Sequence, residues 1–228
     1  MVINIGDVVY PGDTINNVES LRGVTLFGPG LHRSDKPNKL QITRAGILSF
    51  KTPNVYWVES LQKRYVPKKG DLVVGVVSKK AGDVLKVDIC SSELASLSTL
   101  AFEGATKKQR PDLQVGDCVY ARLLSAHREM EPELVCVDSY YKAGKLGPLS
   151  VDGFLTTVSL NLVNRLLNIE NPLLRTLGKK YVYEIAVGMN GRVWINARST
   201  KDILAIVTAL QAAEHQSDKT ILEICRKY

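Results

Sequence analysis

Paired metal-binding cysteines are missing from this chain. It has four cysteines, Cys90, Cys118, Cys136 and Cys225, and no two of them stand at C-x-x-C spacing. The histidines His32, His127 and His215 are scattered, so the ligand spacing of a structural zinc site is absent and no cofactor is expected. Three of the cysteines lie in β-like apolar runs, where a thiol packs as a small hydrophobe. No apolar run approaches the length of a bilayer span. The start, Met1-Val2-Ile3-Asn4-Ile5-Gly6-Asp7, lacks the basic residues and long apolar core of a signal peptide. A soluble, intracellular protein without a membrane partner is expected. Catalytic groupings are missing too. No carboxylates pair at metal-binding spacing, no Cys-His or Ser-His-Asp set stands out, and no glycine-rich stretch carries a phosphate-loop lysine. An enzyme would need a site for which the sequence offers no candidate.

What is present is an ordinary globular composition with a basic excess. The 228 residues are 45% hydrophobic and 23% charged, enough to bury two or three small cores. The formal net charge is +7. Such an excess favours polyanions through counterion release, and it is equally the mark of a solvated basic surface.

The pattern of runs divides the chain into three. Residues 1–62 are punctuated by Pro11-Gly12-Asp13 and Gly28-Pro29-Gly30. Between them stand short β-branched and aromatic runs such as Val24–Phe27, Gly46–Phe50 and Asn54–Val58, which predict a small all-β domain. Residues 63–146 hold five strand-like runs: Leu72–Ser78, Val84–Ile89, Leu94–Leu100, Cys118–Leu124 and Leu134–Val137. A long polar, basic interruption follows the third, which predicts a five-stranded OB β-barrel. In residues 147–228 the period changes. Strand Phe154–Val158 precedes helical spacing over Ser159–Leu167, and Asn171-Pro172 begins a second helix that Gly178 ends. Strands Tyr181–Val187 and Arg192–Ala197 follow, joined by Asn190-Gly191, a dipeptide in which both residues tolerate positive φ. Ser199 and Asp202 then form a capping box ahead of a helix striped by Ile203, Ile206, Val207 and Leu210. The order βααββα predicts an α+β KH-type domain, so the chain as a whole is multidomain.

Longer words in the sequence carry a family resemblance. Ala101-Phe102-Glu103-Gly104-Ala105-Thr106-Lys107-Lys108 is followed by Arg110-Pro111 and Val115-Gly116-Asp117. With them stand Tyr183–Trp194, Tyr10-Pro11-Gly12-Asp13 and Gly28-Pro29-Gly30-Leu31. Together they resemble the RNA exosome cap subunits of the ribosomal RNA-processing protein 40 family, over nearly the whole chain. The resemblance implies a non-catalytic, RNA-binding subunit of a cap that sits on a ring of RNase-PH-like proteins. RNA would pass through it to a separate ribonuclease for 3′-to-5′ decay and rRNA processing. Other cap subunits would be neighbours, and cytoplasmic and nuclear pools, including the nucleolus, are expected. It also implies that Gly188, Asn190 and Gly191, with Trp194, form a structural motif where the OB and KH-type domains meet.

The residues qualify that picture. An RNA-clamping KH domain places Gly-x-x-Gly between its first two helices, where glycine lets backbone approach phosphate. Here that junction is Asn168-Ile169-Glu170-Asn171. The Gly-x-x-Gly at Gly188–Gly191 falls between two strands and reads as a hairpin turn before it reads as an RNA contact. The barrel runs Leu72–Ser78 and Val84–Ile89 hold no stacking aromatic, and Phe102 sits in an apolar run that suits a core. Charge remains. Lys79 and Lys80 at a strand-strand turn, and Lys107, Lys108 and Arg110 in the long interruption, are the candidate RNA-binding residues, with an ordinary solvated loop as the alternative. A free-standing RNA-binding adaptor, such as a ribosome-associated factor, is the competing function. A nuclease fragment is a third.

Overall fold

The computed structural model describes residues 4–16, 26–34, 39–52, 55–60, 62–106, 108–127, 129–168 and 172–214. The chain divides into two compact units, residues 1–62 and 63–228.

In the first unit the described elements are all strands: β1 (Val8–Val9), β2 (Thr14–Asn16), β3 (Leu26–Phe27), β4 (Leu31–Arg33), β5 (Lys39–Ile42), β6 (Gly46–Lys51) and β7 (Val55–Glu59). They form two small sheets, ordered β1-β6-β7-β3 and β2-β5-β4. Val9, Ile42, Leu48 and Val58 make the core between them. The expected runs at Val24–Phe27 and Asn54–Val58 are met by β3 and β7, with Val24, Thr25 and Asn54 outside the described residues.

One turn recurs in both units. In Asn4–Asp7, Tyr10–Asp13, Lys68–Asp71 and Gln114–Asp117 the aspartate N–H donates to the carbonyl three residues back, at 3.1–3.2 Å. The glycine before each aspartate has a positive φ, between 92° and 101°, as the third position of a type II turn requires. In three of the four the carboxylate then accepts the N–H of the turn's first residue, at 2.8–2.9 Å. In the fourth, Asp71 accepts the Tyr65 hydroxyl at 2.8 Å. The Gly-Asp pairs legible in the sequence are therefore strand-opening devices.

The second unit begins with β8 (Leu72–Ala81), β9 (Val84–Asp88), β10 (Ala95–Phe102), β11 (Cys118–Ser125) and β12 (Glu133–Cys136). Neighbours run β12-β10-β9-β8-β11, and β11 pairs with β12, so the five strands close into a barrel. The β10–β12 pair is parallel and the others are antiparallel, the arrangement of an OB-fold. Alternation decides which faces go inward. Leu85 and Val87 of β9 and Ala95 and Leu97 of β10 are buried, while Lys86, Ser96 and Ser98 face out. Phe102 and Leu113 complete the core. A short strand, β13 (Gly147–Pro148), pairs with β11 and leads into the last fold.

That fold runs β14 (Phe154–Thr157), α1 (Leu160–Leu167), α2 (Pro172–Lys180), β15 (Tyr183–Val187), β16 (Arg192–Ala197) and α3 (Thr200–Ala213). The sheet is antiparallel, ordered β14-β16-β15. Ser159 caps α1 by accepting the Leu162 N–H at 3.2 Å, and Ser199 caps α3 through the Asp202 N–H at 3.2 Å. Leu162, Leu166, Leu173, Leu177, Ile206 and Leu210 pack the helices onto one face of the sheet. The chain is multidomain as expected: a small β-rich region, an OB barrel and a βααββα KH fold.

Four local expectations need correction. Gly178 does not end α2, which runs two residues further. The Tyr181 N–H still donates to Leu177 O at 2.9 Å, and Lys179 and Lys180 suit the carbonyl end of a helix. Cys90 is not a core thiol. It is exposed at φ +58°, where its N–H donates to Asp88 Oδ1 at 2.9 Å and ends β9. Lys79 and Lys80 lie on β8 itself, ahead of the Gly82-Asp83 turn, because a bulge after Val77 carries the strand to Ala81. Finally, only Gly191 of the Asn190-Gly191 pair has a positive φ, +85°. Its N–H donates to Gly188 O at 3.1 Å and Gly188 N–H to Arg192 O at 2.8 Å, giving a three-residue connection with a glycine bulge in place of a two-residue turn. The inter-helix residues Ile169, Glu170 and Asn171, with His215 and Cys225, lie outside the described residues.

Candidate nucleic-acid interface and the joint that orients it

The β15–β16 connection is the joint between barrel and KH fold. Strand β8 pairs with β9 only as far as Val76 opposite Asp88, since β9 turns away at Cys90. Val74 therefore lacks a ladder partner on that side. Asn190 supplies one. Its Oδ1 accepts the Val74 N–H at 3.3 Å, and its Nδ2 donates to Val74 O at 2.9 Å and Ile89 O at 3.0 Å. The side chain is buried and mimics a peptide group. Met189 N–H adds a bond to Leu72 O at 2.8 Å, and Tyr120 Oη donates to Val187 O at 3.3 Å.

Beside Asn190 stands an ion pair. Arg192 Nη2 donates to Asp88 Oδ2 at 2.6 Å, and Nη1 donates to the Asp88 carbonyl. Burial alone would raise the Asp88 pKa. The Cys90 N–H and the Arg192 guanidinium outweigh it and hold the carboxyl below its usual range. Trp194, Ala186 and Val74 form a small apolar cluster with Tyr120, Leu149 and Leu155 around them. Trp194 Nε1 donates to Ser150 O at 3.3 Å. Gly188 and Gly191 have no room for a side chain. A Cβ on Gly188 would stand 2.3 Å from Asn190 Oδ1, and one on Gly191 would stand 2.8 Å from Val158 O. Gly188, Asn190, Gly191 and Trp194 thus all sit where the two folds meet.

The basic candidates gather at the opposite end of β8. Lys79 is exposed and pairs in register with Lys86, so two like charges stand directly opposite, a placement that costs stability in itself. Lys86 is answered by Glu131. Lys80 Nζ meets Asp112 Oδ1 at 2.9 Å and holds that carboxyl below its ordinary value, while Arg110 pairs with Asp83 in the hairpin turn. The long loop is thereby pinned to the hairpin tip, which brings Lys79, Lys80, Lys108 and Arg110 to one rim. Lys108 is exposed, and Lys107 lies outside the described residues. No aromatic side chain stands on the outer faces of β8, β9 and β10, and Phe102 is 8% exposed.

Between the loop and the start of the KH fold lies a depression of about 590 Å³. Its lining includes Gly104, Gln109 and Arg110 of the loop together with Ala143 and Leu146. Sequence reasoning missed Val74, Ile89 and Asp88 as joint residues, because their role arises from a strand that stops early. Arg192, directly after the glycine bulge, was a signal available in the sequence.

A closed OB barrel locked to a βααββα KH fold, with a basic rim, defines a class of chains that join two nucleic-acid-binding module folds in one compact unit. Family models sharpen this. Residues 65–147 match the S1 domain of exosome complex component RRP40, residues 6–61 the N-terminal region of mammalian RRP40, and residues 153–201 a KH domain. The Drosophila melanogaster exosome complex component RRP40 is 46% identical over 96% of this chain and 94% of its own length. The Homo sapiens protein of that name is 46% identical over 92% of this chain and 80% of its own. A crystal structure described provisionally as an exosome complex RNA-binding protein superposes with a TM-score of 0.60 at 25% identity, over 72% of this chain and 96% of that one. The chain belongs to the exosome complex component RRP40 family.

Proposed function

We propose that the chain is a non-catalytic, RNA-binding cap subunit of an RNA exosome. It steadies a ring of RNase-PH-like proteins beside the other cap subunits. It guides RNA into the central channel for 3′-to-5′ processing and decay by an associated ribonuclease. It works in the cytoplasm and the nucleus, including the nucleolus. One observation carries the reading: the likeness to named exosome components spans nearly the whole chain, 96% of it in the Drosophila relative, and not one module alone. The geometry supports a guide more than a grip. The rim cations are answered in part by Asp83 and Asp112, and the outer faces of β8–β10 offer no stacking ring. Such a rim holds a passing phosphate backbone weakly and without reading sequence.

The test is affinity capture of the tagged chain followed by size-exclusion chromatography and mass spectrometry. Co-migration with several RNase-PH-like proteins is expected. A monomer that shifts RNA at physiological salt would replace this reading with a free-standing adaptor, and degradation of RNA by the purified chain would make it a nuclease.

A further inference from the structure

A loop outside the basic rim carries two aromatic rings that the fold does not use. Tyr140 and Tyr141 follow β12 and are 83% and 81% exposed. The loop around them is tightly built. Asp138 Oδ1 accepts the Tyr140 N–H at 2.8 Å and the Lys142 N–H at 3.0 Å, while Asp138 N–H donates to Lys142 O at 2.8 Å. Ala143 N–H donates to Glu103 Oε2 at 2.7 Å, which ties the loop to the root of the basic interruption. Tyr141 sits at φ +59°. Glycine would hold that conformation without strain, and for a bulky side chain it costs roughly 1 kcal/mol or more. Among the described residues neither ring makes a hydrogen bond or a ring contact, and one of the two tyrosines sits at a conformational cost.

We infer that Tyr140 and Tyr141 form a stacking platform for the bases of single-stranded RNA at the mouth of the depression beside the basic loop. The inference rests on the RNA-guiding reading above and adds to it the base contact that the barrel strands lack. Three observations select this occupant. Lys142 and Lys145 follow the tyrosines in the same loop and are exposed, so cations that suit a polyanion stand close in the chain. The same loop continues into Ala143 and Leu146, which line the depression together with Arg110. In the chain the two tyrosines are preceded by Asp138 and Ser139 and followed by Lys142, so polar residues bound the pair, unlike the run of apolar residues that a protein partner would cover. Base stacking on such rings is sequence-tolerant, as a passage for any RNA requires.

The experiment compares the assembled complex carrying the wild-type chain with one carrying Tyr140→Ala and Tyr141→Gly. The probes are a labelled oligouridylate and an abasic strand of equal length. The variant is expected to lose about tenfold in affinity for oligouridylate, the size of one stacked base. Its affinity for the abasic strand stays unchanged. Tyr141→Gly alone is expected to raise the melting temperature of the chain while lowering oligouridylate affinity, so that stability and binding move in opposite directions and misfolding is ruled out. Equal losses on both strands, or no loss on either, overturn the platform. So does failure to co-migrate with the ring proteins at unchanged RNA affinity, which would make the loop a protein contact. If the wild-type complex binds neither strand, the RNA-guiding reading itself falls.

Discussion

The joint and the rim lie on the same barrel and use polar chemistry in opposite ways. At the joint, Asn190 is 5% exposed and its amide is spent on Val74 and Ile89. At the rim, Lys80 and Asp112 meet at a similar distance, but their side chains are 42% and 77% exposed. A buried polar group without its partner carries a full desolvation penalty, whereas an exposed ion pair contributes between nothing and about 1 kcal/mol. Stability is therefore concentrated where the two folds meet. The rim charges rearrange at little cost and so remain open to a ligand.

The strongest way to break this comparison is at Asn190. Replacing it with Ala orphans Val74 N–H, Val74 O and Ile89 O in a closed interface, and a loss of about 3–5 kcal/mol in urea unfolding is expected. Asn190→Asp is the sharper variant. It keeps an acceptor for Val74 N–H but turns lone pairs toward two carbonyls, so it should be worse than Ala at neutral pH and recover as acid protonates it. A loss under about 1 kcal/mol for either would mean that the joint is held by its other contacts, the Met189, Tyr120 and Arg192 hydrogen bonds and the packing around Trp194. Next comes Gly191→Ala, with φ +85° and a Cβ 2.8 Å from Val158 O. A loss of about 2 kcal/mol is expected, with a lower yield of assembled complex and unchanged RNA affinity in what assembles. Normal assembly without RNA binding would move the turn from joint to RNA contact.

The joint and the rim were unequally legible. The βααββα order and the barrel strands follow from a change of hydrophobic period and from repeated Gly-Asp turns, both local signals. Asn190 and Gly191 could be read as a turn, but not with one positive φ in place of two, because the bulge depends on Asn190 reaching Val74 across a sequence gap of 116 residues. Cys90 sits in an apolar run and was therefore expected inside. The Asp88 cap that turns it outward involves a neighbour two residues away, but it also depends on where β9 stops. The rim lysines stand out as a charge run. The ion pairs that Asp83 and Asp112 make with the rim are tertiary, so the sequence shows the cations and hides how far they are neutralised. Tyr140 and Tyr141 carry no pattern at all, and only exposure and φ mark them.

Acid separates the two regions more gently. Asp88 has a folded-state pKa below its unfolded value, so its contribution is fully present above about pH 4 and is lost as pH falls through the lower folded value. Asp88→Asn should flatten that part of the stability profile, measured by thermal melts between neutral pH and strong acid, while leaving the Cys90 N–H bond available. An unchanged profile would take Asp88 and Arg192 out of the pH response.

The smallest stability effect belongs to the rim, and there it is informative because it is small. Lys79 faces Lys86 across the β8–β9 pair, and Lys79 and Lys108 are both exposed. Changing either to Gln should move stability by less than about 0.5 kcal/mol, and Lys79→Gln should, if anything, stabilise by relieving the like-charge pair. In the assembled complex the same changes should weaken RNA binding across all sequences. Each should also lower the slope of log affinity against log salt by roughly one for every phosphate that the side chain had neutralised. A variant that keeps the wild-type slope does not touch the backbone of the passing strand. Should Lys79→Gln lose stability and keep the slope, the facing lysines would be part of the fold's support, and the rim would behave like the joint.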